Sequence, residues 1–165
     1  MQDSASDLLM SPDTGRRICE MLDESAWAKD LAWTDIQALS SYMTLLDFQK
    51  EETIFSEGDS SDYMAIVLYG VVEIVKHEEG DEFSTKFLVR LGPGRAFGEM
   101  ALVEGRPRSA SALAAEDARL LVLTRSEFDR MCADNKPLAL KMALNMARLI
   151  SFRLRHTSSK LLRFL

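Results

Sequence analysis

The hydrophobic pattern divides the chain into three stretches. The first dozen or so residues are polar and end on the turn signal Ser11-Pro12-Asp13, so residues 1–15 are expected to form a flexible N-terminal segment. Residues 16–42 read as short helices. Within them Thr34-Asp35-Ile36-Gln37 fits a capping box, in which the Thr hydroxyl takes the third amide and Gln reaches back. From residue 43 to 124 the pattern changes to short strand-like runs: Met64–Tyr69, Val71–Lys76, Lys86–Leu91, Ala110–Ala114 and Arg119–Thr124. Turn residues separate them at Glu57-Gly58-Asp59, Gly70, Glu79-Gly80-Asp81 and Gly92-Pro93-Gly94. Short strands this closely spaced, with no long helices between them, predict an antiparallel sandwich or barrel rather than a βαβ sheet.

Helical periodicity returns over residues 125–165. Thr124-Arg125-Ser126-Glu127 is a second capping box, opening a helix to about Asp134, and Pro137 suits the first turn of a longer one. Leu138, Met142, Leu149 and Phe152 form one apolar stripe on that helix, and Leu140, Leu144, Ala147 and Leu154 form a neighbouring one. The two stripes allow packing on the chain's own domain with one face and on a second copy with the other, or one broad face against the sandwich. Trp27 and Trp33 are expected to pack the N-terminal helices on the sandwich, with an exposed docking surface as the lesser alternative.

Composition narrows the picture. With 165 residues, 47% of them hydrophobic and 28% charged, the chain is one domain able to bury roughly two-thirds of its unfolded surface. Cys19 and Cys132 are far apart without ligand spacing and read as free thiols in a reducing compartment. The opening residues carry Asp3 and Asp7 instead of a basic start and an apolar run, and Met64–Val75 is too short to span a bilayer. A cytoplasmic location is the expectation.

The net charge of −6 argues against general nucleic-acid binding. It hides an asymmetry. Lys136, Lys141, Arg148, Arg153, Arg155, Lys160 and Arg163 follow one another after Asn135 with no acidic residue between, leaving 13 of the 20 basic residues against all 26 acidic ones. The leading explanation is a helix face paired with the acidic body. A membrane-surface or acidic-partner contact through the basic, apolar end Lys160–Leu165 is the weaker one. DNA binding comes last, because too few residues follow Arg155 for a helix-turn-helix.

The chemistry concentrates in Gly92–Ala112. A dinucleotide fingerprint fails there, since Phe97 stands where its third glycine belongs. Instead Gly98 ends a glycine-rich turn, and residues 99–104 can form a short helix whose leading amides attract an anion. Pro107 turns the chain out of that helix, so that Arg108 can return its guanidinium to the same anion. Glu99 is a poor phosphate ligand but a good acceptor for sugar hydroxyls. An Arg for phosphate beside a carboxylate for sugar describes a site for a nucleotide with one compact phosphate. The bland reading is a surface loop with an Arg–Glu salt bridge. His77 and His156 are too few and too distant for a metal site, and no nucleophile elbow or paired catalytic carboxylates occur, so neither a metal nor catalytic residues are expected.

Phe97-Gly98-Glu99-Met100-Ala101-Leu102, followed by Arg106-Pro107-Arg108-Ser109-Ala110-Ser111, closely resembles the phosphate-binding cassette of cyclic nucleotide-binding domains. That family includes the bacterial catabolite activator and the regulatory subunits of cyclic AMP-dependent kinase. Ile54–Asp59, Leu68–Glu73 and Gly92-Pro93-Gly94 carry the same resemblance in family order. It implies a mainly β fold: a jelly-roll of about eight strands over residues 43–124, with N-terminal helices and C-terminal helices serving as lid or dimer helix. It also implies that Arg108 and Ser109, with Ala110 beside them, hold the cyclic phosphate, assisted by the backbone of Met100 and Ala101. Gly98 and Glu99 would hold the ribose, Ile74 and Leu88 would face the base, and Phe152 and Arg153 would sit where a lid is expected. Gly58, Gly70 and Gly94 look like turn glycines.

The function expected from the resemblance is a stand-alone, non-enzymatic receptor for a cyclic nucleotide, with no cofactor besides that ligand. Ser109 favours cyclic AMP, with cyclic GMP as the alternative. The signal would pass through the C-terminal helix to a protein effector or within a homodimer. The rival readings are an interaction module that binds no mononucleotide and a site adapted to another ligand, such as a cyclic dinucleotide.

Overall fold

The computed structural model describes residues 12–25, 27–78 and 81–161. Two helices, α1 (Pro12–Asp23) and α2 (Trp33–Ser40), precede the strands β1 (Thr44–Phe48), β2 (Thr53–Phe55), β3 (Tyr63–Tyr69), β4 (Val72–Glu78), β5 (Asp81–Leu91) and β6 (Ala96–Phe97). A one-and-a-half-turn helix, α3 (Glu99–Glu104), interrupts the strands before β7 (Ser111–Ala114) and β8 (Ala118–Thr124). Helices α4 (Arg125–Asp134) and α5 (Lys136–Leu161) close the chain.

The strands form two four-stranded antiparallel sheets, ordered β1-β8-β3-β6 and β2-β7-β4-β5. This is the jelly-roll with flanking helices that the turn spacing and the resemblance implied. Both faces of the first sheet are covered, which explains why β3 and β8 read as unbroken apolar runs. On β3, Ala65 and Val67 pack between the sheets with Val72, Leu91, Phe97, Leu120 and Val122. Met64, Ile66 and Leu68 point the other way, into a larger core under the helices with Leu22, Ile36, Leu121, Leu123, Met131, Leu138 and Met142.

Several local expectations need correcting. Helix α1 begins at Pro12, inside the segment expected to be loose; a proline lacks only an amide that the first helical turn does not use. Residues 1–11 lie outside the described residues. Helix α2 is capped at Ala32 rather than Thr34, because the Asp35 carboxylate accepts the Ala32 amide at 2.9 Å. The box at Thr124 holds on one side only. Its hydroxyl accepts the Glu127 amide, while the Glu127 carboxylate pairs with Arg130.

Strands β1, β2 and β6 were not foreseen, and β5 already begins at Asp81, inside an expected turn whose Glu79 and Gly80 lie outside the described residues. Trp27 is buried, but Trp33 is 41% exposed and does not pack into the core. The side chain of His77 lies outside the described residues.

Helix α5 resolves the question of its two stripes. Leu138, Ala139, Met142 and Met146 are buried in the helix-side core, with Leu149 packed at its margin. Phe152, assigned by spacing to the same stripe, is 57% exposed and stacks on His156. Leu140, Leu144, Ala147 and Leu154 are all exposed, so the second stripe has no partner among the described residues. No helix of the described residues is long and apolar enough to cross a membrane.

Candidate functional site

The site is assembled from a reversal of the chain at the end of the sandwich. Strand β6 pairs with β3 through Ala65↔Phe97 and Ile66↔Ala96, then stops at Gly98, whose φ of 76° is left-handed. Only glycine fits there: a Cβ would lie 2.7 Å from Arg108 Nη1 and 3.0 Å from the Tyr63 carbonyl oxygen. Helix α3 follows and ends on Gly105, which donates its amide to the Ala101 carbonyl. Arg125 Nη1 donates to the Leu102 carbonyl at 2.7 Å, satisfying a second group at that helix end.

The returning segment is fastened to the β2–β3 loop by two backbone hydrogen bonds, Gly58 N–H to the Arg108 carbonyl and Arg108 N–H to the Asp59 carbonyl, each 2.9 Å. The loop is braced in turn, since the Asp59 carboxylate accepts the Ser56 amide and Ser111 Oγ accepts the Glu57 amide. Arg108 is therefore fixed at its backbone before its side chain makes any contact.

That side chain is 4% exposed. Its guanidinium carbon lies 3.9 Å from the centre of the Phe55 ring and 4.4 Å from that of Tyr63. Nε donates to Ser61 Oγ at 2.8 Å and Nη1 to the Gly98 carbonyl at 2.9 Å. Nη2 is buried and has no hydrogen-bond partner among the described residues, while the Tyr63 hydroxyl donates its own hydrogen to the Ile54 carbonyl.

Burial pushes the Arg108 pKa down from its ordinary value and the Tyr63 pKa up. Tyr63, Asp62, Asp59 and Glu99 oppose the shift on Arg108. Among the described residues no carboxylate forms an ion pair with Arg108, because the nearby Glu99 is engaged elsewhere. The result is a buried, caged cation with one donor nitrogen that has no partner among the described residues, the arrangement that suits an incoming anion.

Glu99 opens α3 and is 0% exposed. Both its oxygens accept from Arg153 Nη1, at 2.6 and 2.7 Å, and Arg153 Nη2 donates to the Ala96 carbonyl at 2.6 Å. Of the two residues expected at the lid, Arg153 thus reaches the cassette and Phe152 stacks outside on His156.

The other expected site residues fall around this pair. Ala101 is buried, Ala110 half-buried, and Met100 exposed. The exposed Ser109 has its hydroxyl 3.9 Å from the Met100 sulfur. Ile74 is half-buried on β4, opposite Val89 and Ala112, and packs at the margin of the core between the sheets. Leu88 is exposed at the register shift of β5. Three residues that sequence reasoning did not single out, Phe55, Ser61 and Tyr63, form the cage around Arg108. Phe55 lies within the Ile54–Asp59 motif that carried the resemblance, and the only signal for Ser61 and Tyr63 was proximity in sequence to it.

Three of the seven basic residues in the stretch after Asn135 pair with the acidic body. Lys141 meets Asp35, Arg148 meets Asp30 and Arg153 meets Glu99, all on the side of α5 facing the domain. Among the described residues no group of histidine, cysteine or carboxylate side chains could hold a metal ion.

A jelly-roll carrying a short helix, a caged arginine and a buried carboxylate at one end is the fold of the cyclic nucleotide-binding domains that the motifs resembled. Residues 45–135 match the cyclic nucleotide-binding domain family, and the chain belongs to it. The cyclic AMP receptor protein of Thermus thermophilus is 34% identical over 131 residues, 79% of this chain and 58% of that protein. The solved structure of the Thermus thermophilus catabolite activator protein superposes with a TM-score of 0.74 at 33% identity, covering 83% of this chain and 62% of that one. A cyclic nucleotide-binding domain from Methylobacillus flagellatus gives a TM-score of 0.79 over 96% of this chain and 95% of that one, and at 23% identity it speaks for the fold alone. The chain spans 58% of the length of the first of these relatives.

Proposed function

We propose that this protein is a receptor for cyclic AMP that reports binding through α5. The observation that carries the reading is Arg108 Nη2, a buried cationic donor without a partner among the described residues, beside the opening turn of α3. Arg108 and Ser109, with Ala110, hold the cyclic phosphate, and the first-turn amides around Met100 and Ala101 add donors that have no intrahelical acceptor. Gly98 and Glu99 receive the ribose, and Ile74 and Leu88 flank the base. The similarity to the cyclic AMP receptor protein of Thermus thermophilus supports cyclic AMP as the ligand.

Output passes through α5, because this helix touches the site through Arg153 and also presents the exposed stripe Leu140, Leu144, Ala147 and Leu154. The spacing of that stripe, four, three and seven residues, matches the seam of a two-helix coil, so a second copy is the proposed partner, with a separate protein effector as the alternative. No group in the site is poised for acid–base or nucleophilic work, which favours a receptor over an enzyme. A rival reading, an interaction module that binds no mononucleotide, draws on the cover that Arg153 places over Glu99.

Titration calorimetry with cyclic AMP, cyclic GMP and a cyclic dinucleotide decides among these. Micromolar or tighter binding of cyclic AMP, exceeding that of the other two, is expected. Absence of heat with all three overturns the receptor reading.

A further inference from the structure

Glu99 is the carboxylate assigned to the ribose, yet it is sealed in this state: none of its surface is exposed, and the group covering its oxygens is the Arg153 guanidinium. Resting on the receptor reading, we propose that Arg153 is a latch opened by the sugar's 2′-hydroxyl. Because Glu99 has no exposed surface, a hydroxyl can approach its oxygens only where the Arg153 guanidinium now lies, and the guanidinium leaves with the helix that carries it.

The architecture of α5 makes that step local. Among the described residues, every buried side chain of the helix lies between Leu138 and Met146. Beyond Met146 the described contacts with the body include the exposed ion pair of Arg148 with Asp30, the half-buried Leu149 at the margin of the core, and Arg153 on Glu99 and Ala96, with Ile150 and Ser151 also half-buried. An exposed pair such as Arg148–Asp30 contributes little. Arg153 is different, since its partner is fully buried and its second nitrogen is spent on a backbone carbonyl, so the distal half of α5 stays docked chiefly through this residue.

The consequence is a division of labour within the site. Arg108 senses the phosphate but is tied to the sandwich, whereas Glu99 is tied to α5. Phosphate binding alone leaves α5 where it is, and only a ligand bearing the 2′-hydroxyl moves it. Arg153 therefore determines which ligands signal, as distinct from which ligands bind.

Hydrogen-exchange mass spectrometry on the full chain tests this, with cyclic AMP and its 2′-deoxy analogue as probes and Arg153→Gln as the variant. In the ligand-free state Arg153→Gln is expected to speed exchange of the amides of residues 149–156 at least fivefold, with residues 138–146 unchanged. In the wild type, saturating cyclic AMP is expected to change exchange at 149–156, and the 2′-deoxy analogue to leave it as in the free protein. By calorimetry Arg153→Gln is expected to bind cyclic AMP about tenfold more tightly, since the competing contact is gone, and the 2′-deoxy analogue as before.

Equal responses to the two nucleotides, unchanged ligand-free exchange in the variant, or weaker cyclic AMP binding by it would each overturn the latch. Absence of cyclic AMP binding in both proteins overturns the receptor reading and the release step together. Binding without any change at 149–156 overturns the release step alone.

Discussion

Replacing Gly98 with alanine probes the cage around Arg108 without touching a charged group. The left-handed backbone at φ 76° costs an alanine about 1–2 kcal/mol. The added Cβ also falls 2.7 Å from Arg108 Nη1 and 3.0 Å from the Tyr63 carbonyl oxygen, and the latter is backbone that cannot swing away. Arg108 must then yield its hydrogen bond to the Gly98 carbonyl, a loss of about 1.5–3 kcal/mol for a charged donor. The total is about 2.5–5 kcal/mol, a large share of the stability of a domain this size.

Gly105→Ala is the matched control. Gly105 is also left-handed, at φ 64°, but a Cβ there meets nothing within 4 Å, so only the backbone cost of about 1–2 kcal/mol applies. Urea unfolding followed by circular dichroism at neutral pH measures both variants. Gly98→Ala is also expected to weaken cyclic AMP binding, because the guanidinium has been moved. Equal destabilisation by the two substitutions, within about 0.5 kcal/mol, would refute the close approach of Arg108 to Gly98.

Other outcomes follow from the same geometry. Glu99→Ala is expected to weaken cyclic AMP binding by about 1–3 kcal/mol through loss of a ribose acceptor, read by calorimetry. Leu144→Glu puts a charge in the middle of the exposed α5 stripe and is expected to shift the protein to monomer in sedimentation velocity, with its melting temperature preserved; a wild type already monomeric would contradict the dimer proposal. Lys141 holds the Asp35 carboxyl below the usual carboxylate range, chiefly through its hydrogen bond. A carboxyl whose pKa is lowered by folding contributes stability above its unfolded pKa, and that contribution is lost as pH falls through the folded value. Lys141→Met is therefore expected to cost about 1 kcal/mol or less at pH 6, the Lys being half exposed, with the difference vanishing in pH-dependent unfolding well below pH 4.

What the sequence revealed follows from how local each signal is. Strands β3 and β8 were legible because both faces of their sheet are buried, leaving nearly continuous apolar runs such as Met64–Leu68. Strand β1 was not, since as an edge strand it buries Leu45 alone, and β6 spans two residues. The cassette was legible as a compact motif in which Gly98, Glu99 and Arg108 lie within eleven consecutive residues.

The cage was hidden, because Phe55, Ser61 and Tyr63 reach Arg108 only once β2 and β3 are paired into the sandwich. Arg153 was placed at the lid, but its partner 54 residues away carries no sequence signal. The charge asymmetry foretold that the basic helix would pair with the acidic body, without naming Asp30, Asp35 and Glu99 as the acids. Phe152 was misplaced because spacing alone put it in the buried stripe, whereas it is 57% exposed and stacks on His156, and the neighbouring Arg153 is the residue that reaches the domain.

The central claim, that the spare nitrogen of a buried arginine anchors the ligand's phosphate, is tested most directly by comparing cyclic AMP with adenosine on wild type and Arg108→Met. Methionine keeps apolar bulk between Phe55 and Tyr63 while removing the charge. Calorimetry is expected to show wild type preferring cyclic AMP over adenosine by at least about 100-fold, some 3 kcal/mol, and the folded variant binding both equally weakly. A variant that kept the wild-type preference for cyclic AMP would contradict the account.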